Sequence, residues 1–279
     1  MSFRILTVDF LSESAPKSFV RSLKETGFAI IKNHPIDEKL LDSVYDEWNE
    51  FFKSREKFRY PFDKNKQDGY FPFKSENAKG YHAKDLKEFY HIYPWGRYPK
   101  EINDKTKELY QALYFLSNEL LNEINIHTSQ EIKNSFSMPL HEMSLNSPQN
   151  LMRIIHYPEL SGHENKNAIR AAPHQDINLI TLLVVGSEPG LQILTKKGEW
   201  IDVPYVAENI VINTGDMLQE CSKGYFPSTT HRVINPQQSK NVSRYSMPFF
   251  VHPRDEVALS DRYTASSYLE ERLKEIGLK

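Results

Sequence analysis

Residues 172–183 read APHQDINLITLL. His174 and Asp176 stand two positions apart, just ahead of a run of apolar and β-branched residues. Such a run is the signature of a buried strand. Side chains at i and i+2 on a strand share a face. The spacing therefore predicts an imidazole and a carboxylate aimed together into the interior of a sheet structure. Two protein ligands hold a metal poorly, and the chain has ten histidines from which to draw a third. His231 is the best placed. It opens the strand-like run HRVI, far enough downstream for the chain to return to the same end of a barrel. Two histidines and a carboxylate with open coordination positions form the facial triad suited to non-haem Fe(II).

An HxD pair alone is a common accident. A second constellation adds weight: Arg244-Tyr245-Ser246, on the next strand-like run after His231. By the same rule Arg244 and Ser246 share a face. A guanidinium grips a carboxylate through two parallel hydrogen bonds, and a hydroxyl adds a third. An inward arginine is costly without an anionic partner. The chain thus reads as a barrel that holds a metal triad and, near it, a carboxylate anchor.

The surrounding sequence supports a barrel. From Leu151 onward short β-rich runs alternate with turns: LMRIIHYP, the quoted stretch through Val185, GLQIL, NIVIN, TTHRVI and SRYSMPFFV. Many short strands with regular turns imply a sandwich, jelly roll or barrel. The first half has helical periodicity instead. Ser14, Pro16 and Gly27 frame one helix as cap, first-turn proline and terminator. FAIIK (28–32) reads as a strand. A helix over Asp37–Lys53 would turn Leu41, Val44, Trp48 and Phe51 or Phe52 inward. Residues 61–83 read as a long irregular loop, a candidate lid bearing Tyr70, Phe71 and Tyr81. Leu86–Tyr93 reads as a strand. Asp104–Ile124 is a helix whose leucines 109, 113, 116 and 120 form a core stripe. Ala265–Ile276 is a closing helix. The expected fold is α+β with a mainly β core. Helices within 1–140 brace a barrel over 150–253, a last helix lies within 254–279, and residues 1–279 form one structural unit.

Bulk properties narrow the function. The 279 residues carry a net charge of -2, with both signs interspersed, so no basic field exists to hold nucleic acid or an anionic membrane. A single cysteine, Cys221, allows no internal disulfide and fits a reducing compartment. The N-terminus lacks the basic and apolar regions of a signal peptide, and no apolar run approaches the roughly 20 residues of a membrane span. The expectation is a cytoplasmic protein. GxGxxG, GxxxxGK[ST] and GxSxG are absent, so nucleotide and serine-hydrolase chemistry gain no support.

The motifs together resemble the isopenicillin N synthase-like branch of the Fe(II)/2-oxoglutarate-dependent oxygenases, in a bacterial-type form. The resemblance rests on APHQDINLITLL, GLQIL (190–194), INTGDMLQ (212–219), STTHRVINP (228–236) and RYSMPFF (244–250), in family order and spacing. GFAIIKNHPID (27–37), GYFPFKSENAKG (69–80) and DLKEFYHI (85–92) extend it over most of the chain. It implies a double-stranded β-helix, or distorted jelly roll, with supporting N-terminal helices. It also implies that His174, Asp176 and His231 bind Fe(II), and that Arg244, Ser246 and Tyr157 bind the distal carboxylate of 2-oxoglutarate. One departure is Ile155, where the family often has asparagine. The implied chemistry consumes O2 and 2-oxoglutarate, releases succinate and CO2, and hydroxylates, desaturates or cyclises a small molecule. Asp176 argues against halogenation, because related halogenases replace that carboxylate with a small residue.

The substrate is less legible. If Tyr157 faces inward, Arg153 on the same strand does too, and could meet an anionic group of an amino-acid-like or other carboxylate-bearing substrate. Pairing with a structural acid is the competing reading. Phe89 and His91 could wall the pocket, although core packing suits them as well. Arg170, just ahead of the triad, is either a substrate contact or a surface residue. Two alternatives stay open. An oxidase of the same fold that does not use 2-oxoglutarate would also keep an Arg-x-Ser. A non-catalytic binding barrel would have no need of an inward triad.

Overall fold

A computed structural model of the chain describes residues 3–77, 80–184, 186–236 and 240–275. The first strand, β1 (Thr7–Asp9), leads into α1 (Ala15–Thr26). Pro16 stands in the first turn of that helix, and Gly27 ends it at φ 72° with its N–H donated to Leu23 O. Ser14 makes no side-chain cap bond, so the expected cap is absent. The proline, whose fixed φ suits a first turn, starts the helix without it. β2 (Phe28–Lys32) follows, then α2 (Glu38–Lys53), where Asp37 does cap through Lys39 N. Leu41, Val44, Trp48, Phe51 and Phe52 are all buried.

Residues 61–83 are not uniformly irregular. β3 (Gly69–Phe71) lies inside them and pairs with β4 (Glu88–Ile92). Tyr70 and Phe71 are buried in that ladder, so of the three aromatics expected on a lid only Tyr81 is exposed. Residues 78–79 lie outside the described set. Helices α3 (Lys105–His127), α4 (Gln130–Lys133) and α5 (Leu140–Met143) complete the first half.

The second half supplies β5 (Leu151–Tyr157), β6 (Ala171–His174), β7 (Ile180–Val184), β8 (Leu191–Leu194), β9 (Trp200–Asp202), β10 (Ile210–Thr214), α6 (Asp216–Cys221), β11 (His231–Val233), β12 (Arg244–Val251) and α7 (Ala265–Glu275). The sequence reading missed β1, β9 and the short helices α4 to α6. Each spans only three to six residues, too few to display a period. Val185 and Ile276, the expected ends of a strand and a helix, lie outside the described residues.

Two sheets result. The larger runs β1-β2-β10-β7-β12-β5-β4-β3, and the smaller β6-β11-β8-β9. Only β1–β2 is parallel among the described pairs. One face of the large sheet packs on the helices through residues such as Trp48, Leu113 and Phe249. The other face meets the small sheet, with Phe28, Phe89, Ile155, Leu191, Ile193 and Val211 between them. Alternation along each strand sends one set of side chains to each layer. The architecture is the double-stranded β-helix with supporting helices.

The opening stretch departs from its simplest reading. It is not one strand. β6 ends at His174, and Asp176 lies in the turn before β7. The cause is α6. Its first amides have no partner within the helix, and they take carbonyls from this turn: Asp216 N to Asp176 O at 2.7 Å and Met217 N to Ile177 O at 3.1 Å. Gly215 N also bonds Leu179 O at 2.9 Å. A Cβ on Gly215 would lie 2.2 Å from Asn178 O, so only glycine permits this approach.

Candidate functional site

His174 and His231 are directly paired across β6 and β11. Each fixes its ring through a backbone carbonyl two residues back: His174 Nδ1 to Ala172 O at 2.7 Å, and His231 Nδ1 to Thr229 O at 3.1 Å. With Nδ1 donating, each Nε2 keeps its lone pair free. Asp176 closes the group, Oδ1 lying 3.9 Å from His174 Nε2 and 3.8 Å from His231 Nε2. The three ligand atoms fall within 4.8 Å of one another. Oδ2 points away and accepts from Thr181 Oγ1 at 2.6 Å and Asn213 Nδ2 at 2.8 Å. Thr181 and Asn213 face each other on β7 and β10. The large sheet thus orients the carboxylate, and the small sheet carries both imidazoles.

Electrostatics favour the ligating forms. Burial alone would raise the Asp176 carboxyl, but His231, His174 and the bonds from Asn213 and Thr181 outweigh it and hold it below its usual range. Burial, then His231, pushes the His174 imidazole down, so it is neutral at pH 7. Two imidazoles with one ionised carboxylate suit a divalent iron with positions to spare.

A row of side chains crosses the inner face of the large sheet beside this group. Tyr157 on β5 pairs with Arg244 on β12, and the next inward pair is Ile155 with Ser246. The Arg244 guanidinium lies 5.1 Å from the centre of the Tyr157 ring. Its Nε donates to Glu188 O at 2.8 Å, while its buried Nη1 has no partner among the described residues. Orphaned buried donors are rare and expensive. These donors suit the carboxylate end of a small dicarboxylate such as 2-oxoglutarate.

The four side chains considered for the substrate separate into two groups. Arg153 stands at the other end of β5, opposite His91. Its guanidinium lies 4.3 Å from the Phe89 ring centre and 5.4 Å from that of Phe250. Phe250 in turn faces Thr181, which holds Asp176, so a single side chain separates Arg153 from the triad's support. Phe89 is fully buried and stacks on Phe71, 4.2 Å between centres. It is a floor for the guanidinium rather than an exposed wall. His91 is also buried. Its Nε2 accepts from Arg153 Nε at 2.8 Å while Nδ1 bonds Gln67 O at 2.7 Å. Burial, then Arg153, pushes His91 well below its ordinary value, consistent with a neutral acceptor. Arg170 belongs elsewhere. It is 1% exposed, which corrects the surface reading, and it lies near Tyr157 and Arg244 instead of Arg153.

Sequence reasoning overlooked Glu76, Asp85 and Lys87. Lys87 pairs with Glu76 at 2.9 Å and Asp85 at 2.8 Å, and Glu76 also reaches Arg153 at 3.5 Å. Burial alone would raise Glu76, but Lys87 and Arg153 hold it far below the carboxylate range. The available signal was K-x-F-x-H over residues 87–91: Lys87 shares the strand parity of Phe89 and His91.

The comparisons with known proteins agree with this geometry. The 2OG-Fe(II) oxygenase superfamily matches residues 148–253, and the N-terminal region of non-haem dioxygenases in morphine synthesis matches residues 10–114. The chain is similar to a candidate oxygenase from Shewanella oneidensis of known structure, at 49% identity over 99% of this chain and 100% of that one, with a TM-score of 0.89. A candidate 2OG-Fe(II) oxygenase family protein from Caulobacter crescentus is 29% identical over 98% and 99% of the two chains, with a TM-score of 0.81. The proline hydroxylase buaE of Petromyces alliaceus is 29% identical over 290 residues, covering 92% of this chain and 88% of the relative. The chain belongs to the 2OG-Fe(II) oxygenase superfamily and is an Fe(II)- and 2-oxoglutarate-dependent oxidoreductase.

Proposed function

We propose that the protein, working as one unit, hydroxylates, desaturates or cyclises a small carboxylate-bearing molecule, and that it belongs to the isopenicillin N synthase-like branch. His174, Asp176 and His231 hold the iron. Arg244, Ser246 and Tyr157 take the distal carboxylate of 2-oxoglutarate, and Arg153 receives the anionic group of the substrate. The observation that carries this reading is a largely buried group of two histidines and an aspartate in the same barrel as a buried guanidinium with an unmet donor among the described residues. Iron and 2-oxoglutarate, when bound, supply an oxidant able to take hydrogen from a C–H bond. The chain's own residues position and enclose. Asn213 and Thr181 fix the carboxylate, the two backbone carbonyls fix the imidazoles, and the apolar interior keeps water from the reacting centre. The retained Asp176 carboxylate argues against halogenation. No helix among the described residues is long and apolar enough to cross a membrane. A cytoplasmic setting suits the single buried cysteine.

The test is an anaerobic titration of 2-oxoglutarate into the Fe(II)-loaded protein, followed by the weak visible charge-transfer band of a chelated keto acid. Arg244→Ala is run beside it. A band in the native protein that weakens in the variant supports the co-substrate and its anchor. Iron bound without a band would favour an oxidase that binds substrate directly to the metal. Failure to bind iron would remove the triad assignment.

A further inference from the structure

We propose that Arg170 is a second guanidinium for the distal carboxylate of 2-oxoglutarate, binding it jointly with Arg244. The inference rests on the co-substrate reading above and extends it to a residue outside the Arg-x-Ser pair. Arg170 immediately precedes β6, the strand that carries His174. Although it is 1% exposed, it has no ion pair among the described residues. One terminal nitrogen donates to Val242 O, and Nε is buried without a partner. Its guanidinium lies 5.9 Å from the centre of the Tyr157 ring, and that of Arg244 lies 5.1 Å from the same centre. Two cations therefore lie against one buried ring, close enough for the charge of Arg244 to act on Arg170. Among the described residues the acid that acts on Arg170 is Glu188, and it is the backbone oxygen of Glu188 that accepts from Arg244 Nε.

Such a pair is unfavourable by itself. Burial, then the charge of Arg244, pulls the Arg170 guanidinium down to about 10, so it stays protonated at pH 7. Each cation loses water, repels the other and leaves a donor unmet. An anion between them removes all three costs. The number of donors fits a carboxylate. Its two oxygens offer about four lone-pair sites. The pocket supplies Arg170 Nε and Arg244 Nη1, and the Tyr157 and Ser246 hydroxyls make no hydrogen bond among the described residues. A substrate contact for Arg170 fits less well, because the cluster around Arg153 lies at the opposite end of β5.

The experiment compares native protein, Arg170→Met, Arg244→Met and the double variant, each loaded with Fe(II) without O2. Three quantities are read: the 2-oxoglutarate Kd from the charge-transfer band, the melting temperature with and without 2-oxoglutarate, and the steady-state KM for 2-oxoglutarate. Arg170→Met should raise Kd and KM for 2-oxoglutarate at least tenfold with kcat little changed. Its melting temperature without co-substrate should equal or exceed the native value, because an unpaired buried charge has gone. The gain in melting temperature on adding 2-oxoglutarate should shrink. The double variant should lose less affinity than the product of the single losses, because both groups grip one carboxylate. An unchanged Kd with a lowered melting temperature would overturn the proposal and leave Arg170 as a clamp on Val242. A raised substrate KM with an unchanged 2-oxoglutarate Kd would also overturn it. If Arg170→Met does not fold, Arg170→Gln carries the same comparison, and native-like affinity there is equally fatal. A native protein that shows no band at all marks failure of the co-substrate reading instead.

Discussion

His174 and His231 face each other across neighbouring antiparallel strands, with ring centres 4.4 Å apart. Neither strand also carries the carboxylate. Asp176 reaches the pair from a turn, and its free oxygen is aimed by two bonds that come from the opposite sheet. The triad is therefore assembled across the barrel, and its geometry depends on two residues outside it.

Asn213 is the clearest of these. Asn213→Leu removes the 2.8 Å bond to Asp176 Oδ2 and leaves Thr181 as the remaining support. Loss of such an outer partner costs about 10–100-fold in metal affinity or activity. Competitive titration with Fe(II) or Co(II) should show weakening within that range. Native affinity in a folded variant would mean that Thr181 alone sets the carboxylate.

Gly27 links α1 to the third triad residue. Its φ is +72°, and an added Cβ would lie 2.5 Å from both Pro227 O and Thr229 Oγ1, in the segment that leads into His231. Gly27→Ala should destabilise the fold by about 1–3 kcal/mol from backbone strain alone, with further loss from the clash. Urea denaturation measures the first effect, and metal titration should show weaker binding as β11 shifts. A variant as stable as the parent would contradict this placement.

His252 gives the molecule an acid limit. Burial pushes its imidazole down to about 4, against an unfolded value near 6.5. Between those values the unfolded chain binds a proton that the folded chain refuses. Stability therefore falls as pH drops from about 6.5 to about 4, by at most about 1.4 kcal/mol per pH unit for one histidine. His91, also held below its ordinary value, adds to the same fall. Urea melts at pH 7.5 and 5.0 should show a smaller loss for His252→Gln than for the parent. Equal losses would assign the acid sensitivity to other groups.

Arg153 should govern substrate affinity. Once a substrate is found by screening carboxylates for succinate release, Arg153→Ala should raise its KM about tenfold or more and leave the 2-oxoglutarate Kd in place. Charge-assisted bonds of this kind contribute about 1.5–3 kcal/mol. A substrate KM equal to the native value would return Arg153 to a structural pairing with Glu76.

The long elements and the identity of the chemistry-bearing groups are legible in the amino-acid order. α1, α2 and α3 span 12 to 23 residues, enough turns for an apolar stripe to declare itself. Arg244 and Ser246 share a face because they do sit on one strand, as their spacing says. Tertiary structure decided the rest. The i, i+2 rule paired His174 with Asp176, but the amides of α6, 40 residues downstream of the turn they bind, pulled Asp176 out of the strand. The aspartate still reaches the imidazoles, held by Thr181 and Asn213 instead of by strand geometry. Arg170 reads from sequence as either a surface residue or a substrate contact, because nothing local distinguishes the two. Its burial beside Tyr157 and Arg244 follows from the packing of the small sheet on the large one. Local periodicity records which face a side chain takes, whereas the partners it meets across the barrel are set by strands far away in the chain.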